Sequence, residues 1–180
     1  DGIRDSSTSR GLGDVYKRTA RINFAAKLAD SNYTYTVESI TITGAKGGAA
    51  TYTFGGTEGK GGNWNITGSA PASGYSYTFD NTVTAKDDIY DYTQNNNSLM
   101  LYPQSLTDAK ITVKYKTEKD NATFFNASKE VSLTGEWTNG QSIRYILTLP
   151  VGAEEMSVNT TYDENWDATD NEQTPKNPAS

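Results

Sequence analysis

"LMLYPQSLTDAKITVKY", residues 99–115, opens on an apolar run from Leu99 to Tyr102 and stops at Pro103. Proline lacks the N–H that a sheet ladder needs, so a strand ends there. A polar turn around Ser105 to Asp108 sends the chain back, and residues 110–115 then alternate, with Ile111, Val113 and Tyr115 on one side. A period of two marks a half-buried strand. Consecutive apolar residues in the first run point to a strand covered on both faces.

The same period recurs on either side. Ile22, Phe24 and Ala26 share one face of residues 20–28. In "YTYTVESITIT", residues 33–43, Tyr33, Tyr35 and Val37 hold one parity and Ile40 and Ile42 the other. Both sets stay inward only if an extra residue is inserted near Glu38–Ser39, so a β-bulge is expected there. Further strands are read at 50–54, 64–66, 75–79, 129–133, 142–149 and 155–162, with Gly44–Gly48 and Asn139-Gly140 as turns. Residues 55–62 read as a flexible loop, and "NATFFNAS" (121–128) reads equally as a strand or a short edge segment. The second half thus reads as antiparallel strands joined by short turns. No helical period is sustained, and no internal repeat is evident. Short strands separated by turn residues predict an all-β, antiparallel sandwich of about seven or more strands. The expected core is Ile22, Phe24, Val37, Ile40, Ile42, Leu99, Leu101, Ile111, Val113, Trp137, Tyr145 and Leu147.

Composition narrows the function classes. The 180 residues include no cysteine and no histidine. A disulfide scaffold, histidine-activated nucleophiles and histidine-bearing zinc sites are therefore excluded. The net charge of −6 disfavours nucleic acid and anionic membranes as partners. No apolar run reaches the length of a membrane span. Residues 1–14 and 169–180 are polar and aperiodic and read as flexible tails around a domain at 15–168. The first residue, Asp1, follows no signal peptide and is read as the start of a mature or trimmed chain.

Candidate chemistry is sparse. Asp87-Asp88, Glu154-Glu155 and Asp163-Glu164 are adjacent in sequence, so on a strand each pair splits between opposite faces. They read as solvated charges rather than the paired carboxylates of a hydrolase. Asp163, Asn165, Asp167 and Asp170, or Asp80, Asn81, Asp87, Asp88 and Asp91, bring oxygens of the type calcium takes. The first set has neither the central glycine nor the closing glutamate of a calcium loop. No metal or cofactor is expected, and no catalytic residue. The loop "DDIYDYTQNNN" (87–97) combines Tyr90 and Tyr92 with Asp87, Asp88 and Asp91, a composition suited to an exposed contact surface.

Several of these stretches together resemble one family. An apolar strand, Pro103-Gln104 and an alternating strand are followed by Gly135-Glu136-Trp137, Gly140 and Arg144-Tyr145-Ile146-Leu147. This order is similar to the C-terminal half of the Bacteroidales fimbrillins, the FimA-like and Mfa-like pilins. Ile143 stands where the family has its first tyrosine. "VYKRTARINF" (15–24) resembles the strand that opens the family's second domain, and residues 158–166 resemble its closing strand. The resemblance covers most of residues 15–168. It implies a transthyretin-like sandwich, the second of two such domains, in a surface fimbrium exported as a lipoprotein to the outer membrane. It implies trimming by an arginine-specific protease, for which Arg10-Gly11 is the candidate site, and assembly by a strand donated from a neighbouring subunit. The function expected is therefore a structural or adhesive fimbrial subunit with other subunits as partners. The alternative is a surface sandwich that binds a glycan or host protein through exposed aromatics. An enzyme is not expected.

Overall fold

The computed structural model describes residues 18–54, 62–79, 89–93 and 97–162. The two tails, the loop at 55–61 and the 163–170 oxygen set lie outside the described residues. Among the described residues, β1 (Ala20–Leu28), β2 (Thr34–Thr43), β3 (Ala50–Phe54), β4 (Gly62–Ile66), β5 (Tyr75–Thr78) and β6 (Tyr90–Asp91) occupy the first half. β7 (Leu99–Leu101), β8 (Lys110–Lys119), β9 (Ala122–Ser132), β10 (Ser142–Leu149) and β11 (Ser157–Tyr162) follow, and there is no helix longer than a turn.

The strands form two main sheets. One has the order β11-β10-β1, with β6 and β7 both lying antiparallel along the far side of β1. The other has the order β5-β2-β8-β9. β3 and β4 make a separate hairpin. The alternating residues of the two sheets meet between them. Ile22, Phe24 and Ala26 face Ile111, Val113 and Tyr115 across a layer completed by Ile143, Tyr145, Leu147 and Leu149, all buried. Phe24 of the first sheet meets the Tyr77 ring of the second edge-on at 6.2 Å. Of the twelve expected core residues, eleven are buried, and Leu99 is half-buried against the same cluster.

The bulge in β2 is present. Val37 pairs with Tyr115 and Ser39 with Lys114, so Glu38 is the extra residue. Tyr35, Val37, Ile40 and Ile42 all reach the core because of it. The Glu38 carbonyl, turned off the ladder, accepts Phe79 N–H at 2.9 Å, and its carboxylate meets Lys114 Nζ at 2.6 Å.

Two expectations about connectivity are corrected. β7 does not fold back on β8. It pairs with β1 in one sheet while β8 lies in the other. The chain crosses between the sheets after Pro103, where Gln104 holds the crossing in place. Its Oε1 accepts Lys46 N–H at 2.7 Å, and its Nε2 donates to Lys46 O and Tyr102 O, each at 3.0 Å. Nor is the second half uniformly antiparallel. β10 runs antiparallel to β11 but parallel to β1, in register from Arg21–Ser142 to Leu28–Leu149. A parallel partner must come from a crossover rather than a hairpin. The partner is therefore a strand far away in sequence, which local patterns do not disclose.

Candidate assembly interface

A partner strand needs an unpaired sheet edge. Among the described residues β9 is the longest such edge: its eleven residues pair there with β8 alone. A two-residue turn creates it, with Asp120 (φ 52°) and Asn121 (φ 63°) both left-handed. Adjacent positive φ values are what a tight hairpin turn requires. This settles residues 122–128 as strand. The Asp-Asn pair before an alternating run was the signal available in the sequence.

The β9 edge is uncharged from Ala122 to Ser128 and then carries Lys129 and Glu130, the latter bonded to Lys110 Nζ at 2.7 Å. It is interrupted once. Thr117 pairs with Phe125 and Glu118 with Thr123, so Phe124 is a second bulge residue. The bulge turns Phe124 outward, 62% exposed, with its ring 5.4 Å from that of Tyr33. Bulges and charges are the usual means of keeping an open edge from pairing indiscriminately. On the other sheet, β11 forms the outer edge beyond β10, and its last residue Tyr162 is exposed.

The expected contact surface is partly described. Asp87 and Asp88 lie outside the described residues, as do Arg10 and Gly11. Tyr90 and Asp91 form β6, paired with Ala26 and Ala25. Tyr90 is 40% exposed. Asp91 Oδ1 accepts from Arg144 Nε at 2.6 Å, tying β6 to β10 over the top of β1. Tyr92 is more covered than Tyr90. Its ring packs 4.9 Å from Phe79 and 5.0 Å from Tyr90, and its hydroxyl is buried without a hydrogen-bond partner. Burial pushes that hydroxyl well above the usual tyrosine range. Tyr92 thus supports Tyr90 from beneath. Among the described residues no group of three or more carboxylates is placed to hold a metal.

The residues that carried the family resemblance are structural. The Trp137 indole donates to the Tyr145 hydroxyl at 2.8 Å inside the core. Trp137 N–H donates to Gln104 O and Leu106 N–H to Gly135 O, each at 2.9 Å, which straps the crossing after Pro103. Gly140, with φ 68°, donates its N–H to Thr19 O at 3.0 Å and so aligns the start of β10 with the start of β1.

No family model matches the chain, and no curated protein does. Solved structures do. A fimbrial protein from Bacteroides vulgatus is similar over 81% of this chain and 54% of its own, with a TM-score of 0.54 at 16% identity. A candidate cell adhesion protein from Bacteroides fragilis is similar over 82% of this chain and 46% of its own, with a TM-score of 0.39 at 17% identity. The chain spans about half the length of each. The fold is thus one that a Bacteroides fimbrial protein also has.

Proposed function

We propose that this chain is a structural or adhesive subunit of bacterial surface fimbriae that joins its neighbours by addition of a strand. The observation that carries this reading is the likeness of its sandwich to that of a fimbrial protein over 81% of the chain. Open edges at β9 and β11 support it, because main-chain groups there are available to an incoming strand. The closed core bears on the manner of assembly. A donated strand extends an edge rather than replacing missing core side chains among the described residues. In this reading the protein sits outside the cell at the outer membrane, acts without catalysis and takes other subunits as partners. Cleavage at Arg10-Gly11 frees the N-terminal segment before assembly.

Size-exclusion chromatography with light scattering, before and after cleavage with an arginine-specific protease, tests this. Oligomers that resist heat and detergent after cleavage are expected. A chain that stays monomeric both ways overturns strand addition.

The exposed Tyr90 on its Tyr92–Phe79 support favours a second role for the same surface protein, contact with a glycan or host protein. Binding on a glycan array that is lost in Tyr90→Ala is the expected result, and an array with no signal removes the glycan.

A further inference from the structure

The sandwich has two flanks where the sheets part, and they are finished differently. At one, β5 lies over β6, and a run of rings bridges the sheets: Tyr77 to Phe79 at 6.5 Å, Phe79 to Tyr92 at 4.9 Å and Tyr92 to Tyr90 at 5.0 Å. At the other, β9 lies over β11. Tyr115 of β8 donates to Pro150 O, directly after β10, and Lys129 of β9 donates to Glu154 O, between β10 and β11, each at 2.8 Å. The rings of β9 turn to Tyr33 and Tyr115 rather than to β11.

Inward side chains at the second flank lack cover. The register with β8 sets Phe125, Ala127, Lys129 and Val131 on the inner face of β9, and Ala127 is exposed although its partner Tyr115 is buried. On β11 the inner positions are Val158, Thr160 and Tyr162, opposite buried Leu147, Tyr145 and Ile143. Val158 is half-buried, and Thr160 and Tyr162 are exposed, the latter to 59%. The two edges differ in their guards. β9 has the Phe124 bulge and an inward lysine, both of which oppose further pairing. β11 has neither. Its sequence, "SVNTTY", carries no charge and no proline, and its pairs with β10 run without a register shift.

We infer that β11, not β9, is the edge that accepts an extended segment of a neighbouring subunit, and that this segment is apolar at alternate positions and basic at its ends. The inference rests on the strand-addition reading above and names its edge and its partner. Main-chain groups of β11 supply the ladder. Inward side chains of the incoming strand then lie beside Val158, Thr160 and Tyr162 and cover Ala127 across the gap. Its other side chains continue the polar outer row of Ser157, Asn159 and Thr161. The basic ends follow from charge. In the sequence β11 is bracketed by Glu155 and by Asp163-Glu164, which lysine or arginine answers. A second copy of β11 does not fit. Paired antiparallel about Thr160, it brings Glu155 of each copy beside the Asp163-Glu164 of the other.

The test is amide hydrogen exchange of the ¹⁵N-labelled full chain with the peptide Lys-Val-Thr-Val-Thr-Val-Lys. New protection along β11 and a saturable shift at Ala127 are expected. Protection along β9 instead, or along neither edge, overturns the inference. Thr160→Lys, at an exposed inward position, gives β11 the guard that β9 has. It should weaken binding about tenfold or more, because the strand would cover the charge, while the melting curve matches the parent's. The peptide Glu-Val-Thr-Val-Thr-Val-Glu should bind about tenfold more weakly, and equal binding overturns the partner assigned. A dimer that forms without peptide and is lost in Thr160→Lys makes a second copy the occupant and overturns it too. Cleaved Thr160→Lys chains that still form resistant oligomers overturn β11 as the edge and leave the fimbrial reading intact. A chain that binds the peptide at β11 and never oligomerises removes the fimbrial reading and leaves β11 as the accepting edge.

Discussion

Trp137 and Tyr145 share one buried hydrogen bond, from the indole N–H to the phenol oxygen. Tyr145→Phe leaves the indole N–H buried and unsatisfied, which costs roughly 1–3 kcal/mol. A urea midpoint lowered without a change in slope is the expected result. The same burial pushes the Tyr145 hydroxyl up to about 12 from 10.0. Its folded value lies above its unfolded one, so the neutral form is favoured by folding. The contribution is complete below the unfolded value and lost as pH rises through the folded one. Stability should therefore fall between about pH 10 and 12, and Tyr145→Phe should reduce that slope. Gly44 is a second sensitive residue. Its φ is +77°, and a Cβ there would lie 1.9 Å from Asp108 O. Gly44→Ala should lower stability by more than the roughly 1–3 kcal/mol of a strained backbone alone, as thermal melts would show.

At the scale of the element, single extra residues decide which side chains are inside. Deleting Glu38 removes the β2 bulge and turns either Tyr35 and Val37 or Ile40 and Ile42 to solvent. Loss of the cooperative unfolding transition is expected. Phe124 plays the opposite part, because its bulge lies on an open edge. Deleting it gives β9 an unbroken ladder to Lys119 and a flatter edge. Concentration-dependent association in light scattering is then expected from a chain that otherwise keeps its fold. The two bulges were unequally legible. In β2 the apolar parity changes at Glu38, and the sequence shows it. In β9 the adjacent Phe124 and Phe125 stand among small polar residues, and parity alone assigns neither to the core. Only pairing with β8 determines that Phe125 packs 5.1 Å from Tyr115 while Phe124 faces out. Of the expected contact tyrosines, Tyr90 is exposed and Tyr92 packs against Phe79, a contact between residues that directly follow β6 and β5, strands of different sheets, which no local pattern contains.

At the scale of the whole molecule, β1 pairs with β10 along nearly their full lengths, joining strands far apart in the chain. Such distant pairing makes closure costly before any contact rewards it. Refolding followed by tryptophan fluorescence should fall in the millisecond-to-second range, and fluorescence and circular dichroism should report one coincident unfolding transition. The sequence by itself determined the all-β class, most strand positions, the β2 bulge and nearly all of the core, because each rests on alternation within a few residues. It also determined that histidine and cysteine chemistry is absent. The tertiary structure alone decided that β7 and β8 belong to different sheets, that β10 runs parallel to β1, and that β9 is an open edge. The physical reason is range: alternation records which side of a strand is buried, whereas strand partners and converging loops depend on contacts between residues far apart in the chain.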